Sequence, residues 1–330
     1  MVPEPKVVIT DMMADELAPE REALGASIRL EALDARREED LAGRVEDAQA
    51  LIVYQLPLSR RTIERLERCR VIVRGGVGYD KVDGPFARER GIAVANVPDY
   101  CTEEVADSAL GLMLALTRGL ASSNSRLRAP RAPWSYAVSA PLRRLRGRVL
   151  GIVGLGRIGT ATALRAKALG MEVAYYDPYK PLGFDKALGL RRVDTLEELV
   201  RDSWVLSLHC PLTSETRRMI DARTLSLLPR GAYLVNTARG GVLDTAAIPP
   251  AVACGQLAGV GLDVLESEPP AEDDPLIRAW RDPGHPAHLR VVLTPHSAFY
   301  SEESRREVRT KAALACLRAL AGEPIPNVVN

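Results

Sequence analysis

Short apolar runs alternate with amphipathic stretches along most of the chain. Ten runs of three or four mainly apolar residues predict strands that are covered on both faces, as in parallel sheets. They are residues 7–9, 51–53, 71–73, 92–94, 150–153, 173–176, 205–208, 233–235, 260–262 and 291–293. Helical patterns are predicted between them over residues 38–48, 59–69, 157–169, 196–202 and 215–228. This alternation indicates βαβ units and a doubly wound α/β architecture.

Two further helical patterns are longer than the rest. The first begins near Thr102, which we expect to cap it, and continues to Leu116 with two acidic residues in its first turn. The second is predicted to be capped by Ser301 and to end at Gly322. Residues 122–148 are rich in Ser, Arg, Pro and Ala. Their apolar residues follow neither the spacing of a helix nor that of a strand, so we predict an arm or linker there.

Composition and charge exclude several classes of protein. The 44 basic and 43 acidic residues leave a net charge of +1, which argues against a direct nucleic-acid binder. No apolar run approaches the length of a membrane span, and charged residues at Glu4, Lys6 and Asp11 interrupt any secretion signal. The cysteines are dispersed and never in C-x-x-C spacing, so we expect reduced thiols. His285 and His288 are three residues apart but have no third ligand nearby, so we expect no metal. We therefore expect a cytoplasmic protein that does not bind a membrane.

The most specific motif is a G-x-G-x-x-G sequence between a predicted strand and a predicted helix. It consists of Gly154, Leu155, Gly156, Arg157, Ile158 and Gly159. In such a turn the first glycine permits the tight bend, the second lets a pyrophosphate approach, and the third lets helix and strand pack closely. The pyrophosphate then lies on the positive end of the helix.

An acidic residue follows at the position that this motif requires. Asp177 ends the next predicted strand, 21 residues beyond Gly156. A carboxylate there binds the ribose hydroxyls and repels a 2′-phosphate, so NAD is the expected cofactor rather than NADP. Lys180 nearby would weaken that preference.

Polar groups follow four later strands at their carboxyl ends, where open α/β sheets bind ligands. They are residues 209–213, residues 236–241, Asp263 with Glu268, and His296. An arginine, a glutamate and a histidine that converge there suit hydride transfer to a 2-oxo acid. A guanidinium binds the carboxylate and polarises the ketone, and a histidine donates the proton as the alkoxide forms. A carboxylate beside the histidine fixes its tautomer and stabilises its charged form.

The chain resembles the NAD-dependent D-isomer-specific 2-hydroxyacid dehydrogenases over essentially its whole length. Within them it is most similar to the C-terminal-binding protein branch and its bacterial homologues. The matching stretches are VLGIVGLGRIGTATALRAKALGMEVAYYDPY (149–179), LHCPLTSETRRMI (208–220), GAYLVNTARGGVLD (231–244), GVGLDVLESEPP (259–270) and TPHSAFYSEES (294–304).

The resemblance implies a fold of two doubly wound parallel-sheet lobes. A Rossmann NAD-binding domain would be inserted in a flavodoxin-like substrate domain. We expect residues 101–297 to form the first and residues 1–100 with 298–330 to form the second. The resemblance also implies a homodimer through the NAD-binding domain and its arm, roughly residues 101–148.

Roles for individual residues follow from the same resemblance. The family's catalytic arginine, glutamate and histidine fall on Arg239, Glu268 and His296, and the glutamate falls on Glu268 rather than Glu266. In the family, Asp263 would contact the nicotinamide carboxamide. The remaining expected cofactor contacts are Thr237 and Ala238 on the nicotinamide side, and Cys210, Pro211, Leu212 and Thr216 on the adenosine side.

The resemblance also indicates where the substrate binds. The backbone amides of Gly76 and Val77 would hold its carboxylate, with Arg74 as an additional anchor. Phe299 stands where the C-terminal-binding proteins carry a tryptophan, so the aromatic wall is smaller. Residues 273–289 form a longer insertion than usual, which we predict to be an exposed surface loop, with a flap or a subunit contact as the alternative.

Two classes of function stay open. The first is reversible hydride transfer between NADH and a small 2-oxo acid, which gives a D-2-hydroxy acid. The second is an NAD(H)-responsive, corepressor-like binding protein with little or no turnover. The intact arginine, glutamate and histidine favour the enzyme. A 3-phosphoglycerate dehydrogenase is disfavoured because Arg74 has no evident basic neighbours in its loop, and a formate dehydrogenase because that branch has glutamine at the position of Glu268.

Overall fold

The structure is a computed structural model that describes residues 4–11 and 16–330. The chain divides into two compact units. One, here called the two-segment unit, comprises Met1–Cys101 and Tyr300–Asn330. The other, here called the central unit, comprises Thr102–Phe299. Each contains its own parallel sheet and its own core.

The two-segment unit is built on five parallel strands in the order β2-β1-β3-β4-β5. The strands are β1 (Lys6–Asp11), β2 (Arg29–Ala35), β3 (Ala50–Val53), β4 (Val71–Arg74) and β5 (Ala93–Asn96). The helices are α1 (Ala18–Leu24), α2 (Arg60–Ile63), α3 (Gly84–Glu89) and a final helix, Glu302–Ala321, with a 3-10 turn at Glu38–Leu41. Strand side chains such as Val8, Leu51 and Ile72 are fully buried in the core.

The final helix belongs to this unit although it is the last in the chain. Ser301 caps it by accepting the Ser304 N–H at 2.9 Å, and Gly322 ends it in a left-handed conformation with φ 74°. Both predicted ends are confirmed. The helix packs on α1, where the buried Arg309 guanidinium pairs with Glu20.

The central unit contains seven parallel strands in the order β12-β11-β10-β9-β6-β7-β8. The strands are β6 (Val149–Val153), β7 (Glu172–Tyr176), β8 (Arg191–Arg192), β9 (Val205–Leu208), β10 (Ala232–Asn236), β11 (Leu257–Leu262) and β12 (Val291–Leu293). The chain runs outward from β6 to β8, returns to β9 and continues to β12 on the other side. The strand order therefore reverses between β6 and β9, which is where doubly wound sheets bind ligands.

Helices and short turns cover this sheet on both faces. They are α4 (Thr102–Thr117), α5 (Leu120–Leu127), α6 (Arg157–Ala168), α7 (Phe184–Leu188), α8 (Leu196–Asp202), α9 (Ala222–Ser226), α10 (Ile248–Ala253), α11 (Pro275–Arg281) and α12 (Ala287–Arg290), with 3-10 turns at Tyr136–Ser139, Gly240–Val242 and Thr245–Ala247. Within the part of the chain that the structure describes, no helix is long and apolar enough to cross a membrane.

The predicted strands are confirmed, but several predicted helices are not. Only a 3-10 turn forms within 38–48, and the helix predicted over 59–69 ends at Ile63. Within 215–228 only α9 is helical, because Arg218 takes a left-handed conformation with φ 49°. Thr102 is the first residue of α4 rather than its cap.

Two long segments of the central unit differ in how far their side chains are buried. The predicted arm, residues 122–148, contains the end of α5 and a 3-10 turn, and its Trp134 and Tyr136 are each 91% exposed. The predicted surface loop at 273–289 is wrong. It folds into α11 and α12, whose apolar residues, including Leu276 and Ala287, join the core, and Asp274 caps α11 by accepting the Leu276 N–H at 2.8 Å.

Candidate active site

Two glycines of the turn between β6 and α6 are required by the backbone conformation and by close contacts within the protein. Gly154 has φ 89°, and a Cβ there would lie 2.8 Å from the Cys210 backbone nitrogen. A Cβ on Gly159 would overlap the Gly154 carbonyl oxygen, because helix and strand approach closely at that point. These two positions therefore fix the shape of the turn.

Gly156 is different, because no described residue other than its neighbours in the chain lies within 4 Å of the place where its Cβ would be. Its φ of −72° is also accessible to any residue. Gly156 caps α6, whose first N–H groups, those of Arg157 and Ile158, have no acceptor within the helix. Open space, free N–H groups and the helix dipole together suit a phosphate group.

Asp177 lies directly against this turn. Its Oδ2 accepts the Leu155 N–H at 2.8 Å, and its Oδ1 accepts the Tyr179 N–H at 3.0 Å. Leu155 itself is fully buried, so it shapes the turn and does not offer its N–H to a ligand. Each carboxylate oxygen of Asp177 retains the capacity for a further hydrogen bond, as a ribose hydroxyl requires.

The turn after β9 carries the residues expected on the adenosine side. Thr216 closes it: its hydroxyl donates to the Pro211 carbonyl at 2.6 Å and accepts the Thr213 N–H at 2.8 Å. Cys210 is buried beside Gly154, and burial raises the pKa of its thiol to about 12. Its sulfur is therefore a packing group rather than a nucleophile.

Thr237, at the end of β10, has a polar atom without a partner. It is 8% exposed, and its Oγ1 has no hydrogen-bond partner among the residues that the structure describes. Buried hydroxyls are normally paired, so the Thr237 hydroxyl is able to take a partner from outside the protein. The neighbouring Ala238 N–H donates to Asn236 Oδ1 at 3.0 Å, which fixes the backbone around it. Together with Gly156 and Asp177, this hydroxyl shows that the residues present fit an NAD molecule.

His296 and Glu268 form a close pair of titratable groups at this edge. Nδ1 of His296 lies 2.6 Å from Oε2 of Glu268, and Oε1 of the same carboxylate accepts the Leu265 N–H at 2.9 Å. The side chains are 31% and 33% exposed, so solvent or a ligand can reach them. With Nδ1 engaged, Nε2 is the ring nitrogen that remains for proton transfer. The Phe299 ring is edge-on to the imidazole, 6.3 Å between centroids.

Asp263 is used by the protein to hold the histidine turn. It is 2% exposed, and its carboxylate accepts the Thr294 hydroxyl at 2.5 Å and the Ser297 and Ala298 N–H groups at 2.9 Å. Its carbonyl accepts the His296 N–H at 2.8 Å. These bonds hold His296 in a left-handed conformation with φ 53°, a strained geometry that recurs at functional sites. Thr294 was missed from the sequence, although its place in TPHSA pointed to it.

Arg239 follows β10 and precedes the turn Gly240–Val242. Its Nη1 donates to the Ala238 carbonyl at 2.9 Å. Asp263 follows β11 and His296 follows β12, and these strands are neighbours in the sheet. Since the strands are parallel, all three residues lie at one edge, where the sequence placed them.

The predicted substrate loop belongs to the two-segment unit and is described there by itself. The Arg74 guanidinium lies over Gly76, whose φ of 156° and missing Cβ make room for it. The Gly76 N–H donates to the Arg74 carbonyl at 2.9 Å. The Val77 N–H has no acceptor among the described residues, while its carbonyl accepts Asn96 Nδ2 at 2.6 Å. Val77 therefore offers the more available amide of the two.

Within residues 4–11 and 16–330, no group of three or more His, Cys, Asp or Glu side chains could hold a metal ion. The site consists instead of a glycine turn, polar strand ends and a histidine–carboxylate pair. These are groups that bind a dinucleotide and move a proton.

Comparison with known proteins gives consistent results. The family model described as "D-isomer specific 2-hydroxyacid dehydrogenase, NAD binding domain" matches residues 110–298. The glyoxylate reductase of Korarchaeum cryptofilum is 40% identical over 87% of this chain and 84% of its own length. The D-3-phosphoglycerate dehydrogenase of Methanocaldococcus jannaschii is 35% identical over 98% of this chain, which spans only 59% of that protein. The crystal structure of the Aquifex aeolicus D-lactate dehydrogenase with NAD and lactic acid has a TM-score of 0.84, 29% identity and 96% coverage of each chain.

Proposed function

Because this chain belongs to the D-isomer specific 2-hydroxyacid dehydrogenase family, we propose that it reduces a small 2-oxo acid to a D-2-hydroxy acid with NADH and catalyses the reverse oxidation. The observation that carries the proposal is the pair of His296 and Glu268, 2.6 Å apart, at the sheet edge that also carries Arg239. The names of the relatives support small 2-hydroxy acids as the substrate class.

The cofactor would be held by the glycine turn and the neighbouring strand ends. The N–H groups of Arg157 and Ile158 would bind its pyrophosphate over the open space at Gly156, and Asp177 would bind the adenosine ribose. The orphan hydroxyl of Thr237 would bind on the nicotinamide side. When bound as NADH, the cofactor supplies the hydride.

His296 supplies the proton in the proposed reduction. Glu268 accepts a hydrogen bond from the Nδ1–H group of His296. The proton to be donated is therefore on Nε2, and the same hydrogen bond orients Nε2 toward the substrate oxygen. The same carboxylate stabilises the imidazolium before transfer and the tautomer that remains afterwards. Such acid–base assistance is typically worth about 10²–10⁴ in rate.

Arg239 is proposed to bind the substrate carboxylate and to polarise the ketone, which makes the carbonyl carbon a better hydride acceptor. Asp263 is proposed to contribute on the nicotinamide side through the turn that it holds, and Phe299 to form an aromatic wall for the substrate side chain. In the two-segment unit, the Val77 amide, the Gly76 turn and Arg74 are proposed carboxylate-binding groups.

Turnover on a panel of 2-oxo acids tests this assignment. NADH oxidation would be followed with glyoxylate, hydroxypyruvate, pyruvate, 4-methylthio-2-oxobutyrate and branched 2-oxo acids, with NADPH in parallel. We expect His296→Ala and Arg239→Ala to abolish turnover while NADH binding survives, and His285→Ala, in the segment between α11 and α12, to be a neutral control. Loss of NADH binding in both site variants would contradict the roles given. Tight NADH binding by the unaltered protein without turnover on any acid would favour an NAD(H)-responsive binding protein.

We also propose a homodimer through the central unit. The support is its arm, where Trp134 and Tyr136 are each 91% exposed, since large exposed aromatic side chains favour a protein interface. The cytoplasm is the proposed location, because none of the five cysteines forms a disulfide in the part of the chain that the structure describes. Light scattering on the purified protein tests the first proposal, and a monomeric mass would refute it. Microscopy of a tagged full chain in cells tests the second.

A further inference from the structure

Arg218 is unusual in the central unit because its backbone is strained and because both its backbone N–H and its guanidinium form hydrogen bonds. It is not a glycine, yet its φ is 49°. Its N–H donates to the Gly241 carbonyl at 2.8 Å, and its Nη2 lies 3.1 and 3.0 Å from the two carboxylate oxygens of Glu266. A residue other than glycine keeps this backbone conformation only when the surrounding contacts hold it there.

The two turns that Arg218 touches are also in direct backbone contact. A Cβ on Gly240 would overlap the carbonyl group of Leu265 and the nitrogen of Glu266. Backbone atoms cannot move aside as a flexible side chain can, so a glycine is needed at 240 for the turns to meet. Arg218, Gly240, Gly241, Leu265 and Glu266 are here called the Arg218 clasp.

Each side of the clasp leads to a candidate catalytic residue. Gly240 directly follows Arg239 in the chain. On the other side, the Leu265 N–H donates to Glu268 Oε1 at 2.9 Å, and Oε2 of Glu268 holds Nδ1 of His296 at 2.6 Å. A continuous series of contacts therefore joins the turn that carries Arg239 to the carboxylate that orients His296.

We infer that Arg218 and Glu266 are positioning residues that set the arginine turn against the Glu268–His296 pair. The inference rests on the proposed function and adds a role for Glu266, the glutamate of the DVLESEP stretch that the catalytic assignment leaves unused. Arg218 is 57% exposed and Glu266 36%, and ion pairs at such exposure add little to overall stability. The signature of the clasp is therefore a loss of catalysis without a matching loss of stability.

A double-mutant cycle on the full chain tests this inference. Arg218→Met removes the charge and keeps most of the stem, and Glu266→Gln removes the charge and keeps the shape. Arg223→Met is the matched control, because Arg223 forms a similarly exposed pair with Glu197 at 3.0 Å in the same unit.

We expect each clasp variant to lower kcat about 5- to 20-fold, since small misplacements of reacting groups cost about 10² per ångström. The double variant should be no worse than the worse single variant. NADH affinity and the urea midpoint should match those of Arg223→Met. The solvent deuterium isotope effect on kcat should rise in the clasp variants, because a displaced Glu268 orients His296 poorly for proton transfer.

Two results would overturn the inference: kcat values like that of the control, or fully additive losses in the double variant. Failure of the proposed function appears separately, as absence of turnover by the unaltered protein. In that case amide hydrogen exchange tests whether the clasp holds the two turns together. Exchange across residues 238–243 and 264–268 should rise in both clasp variants and not in Arg223→Met, and unchanged exchange overturns the clasp.

Discussion

His209 provides a stability prediction with a defined pH window. It follows β9 beside the glycine turn, and its Nε2 lies 2.8 Å from the Ser207 hydroxyl. Burial lowers the pKa of its imidazole from 6.5 to about 4, because the charged form would be poorly solvated there. The fold therefore favours neutral His209 over the imidazolium.

The size and sign of the effect follow from that pKa. The difference between 6.5 in the unfolded chain and about 4 in the fold corresponds to about 3 kcal/mol, at about 1.4 kcal/mol per pH unit. Between these two values the unfolded chain binds a proton that the folded chain does not. The stabilising contribution is complete above pH 6.5 and is lost as the pH falls toward about 4.

The substitution to make is His209→Gln, whose amide can keep a hydrogen bond to Ser207 but does not titrate. Urea unfolding of both proteins would be measured from about pH 7.5 down to about pH 4.5, the range over which the proton is taken up. Carboxylates with lowered pKa, such as Asp221, affect both proteins equally, so the difference between the curves isolates the histidine. We expect the unaltered protein to lose up to about 3 kcal/mol more than His209→Gln over this range. Parallel curves would refute the reasoning.

Further predictions concern packing and backbone contacts. Glu20→Gln removes the negative charge that lies 2.6 Å from the guanidinium of Arg309, a side chain that is only 4% exposed, so the free energy of unfolding in urea should fall by about 3–5 kcal/mol. Glu20→Leu combined with Arg309→Met should recover most of this loss. Gly75→Ala places a methyl group against the Tyr54 ring and should raise KM for the 2-oxo acid. Adding Tyr54→Leu should lower KM again. If KM stays high in the double variant, the contact with Tyr54 is not the cause. Gly159→Ala, which overlaps the Gly154 carbonyl, should weaken NADH binding about tenfold or more in a fluorescence titration, and unchanged affinity would contradict the tight turn.

Local pattern predicted the interior strands well, because a strand covered on both faces must be continuously apolar. The edge strand β2, RLEALDA, was missed since only two of its residues are buried and it shows no apolar run. The prediction of a helix over 215–228 was wrong for a reason that lies outside that segment. Arg218 bonds to Gly241 and Glu266, residues of distant turns, and these contacts impose a conformation that no helix contains.

The candidate site shows the same division between local and tertiary information. The glycine turn and Asp177 follow a spacing visible in one segment, and the pairing of Glu268 with His296 followed from family resemblance and strand ends. The engagement of Asp263 with Thr294, Ser297 and Ala298 depends on how β11 and β12 align, which the sequence does not display.

The buried pair of Glu20 and Arg309 has a consequence for synthesis on the ribosome. The two residues are 289 positions apart, which at about 5–20 residues per second separates their appearance by about 15–60 s. During that interval Glu20 has no Arg309 to pair with, so the buried ion pair of the two-segment unit cannot form. The central unit is contiguous in sequence and needs no later segment. Translation therefore favours completion of the central unit first, with the N-terminal strands of the two-segment unit among the last elements to reach their final fold.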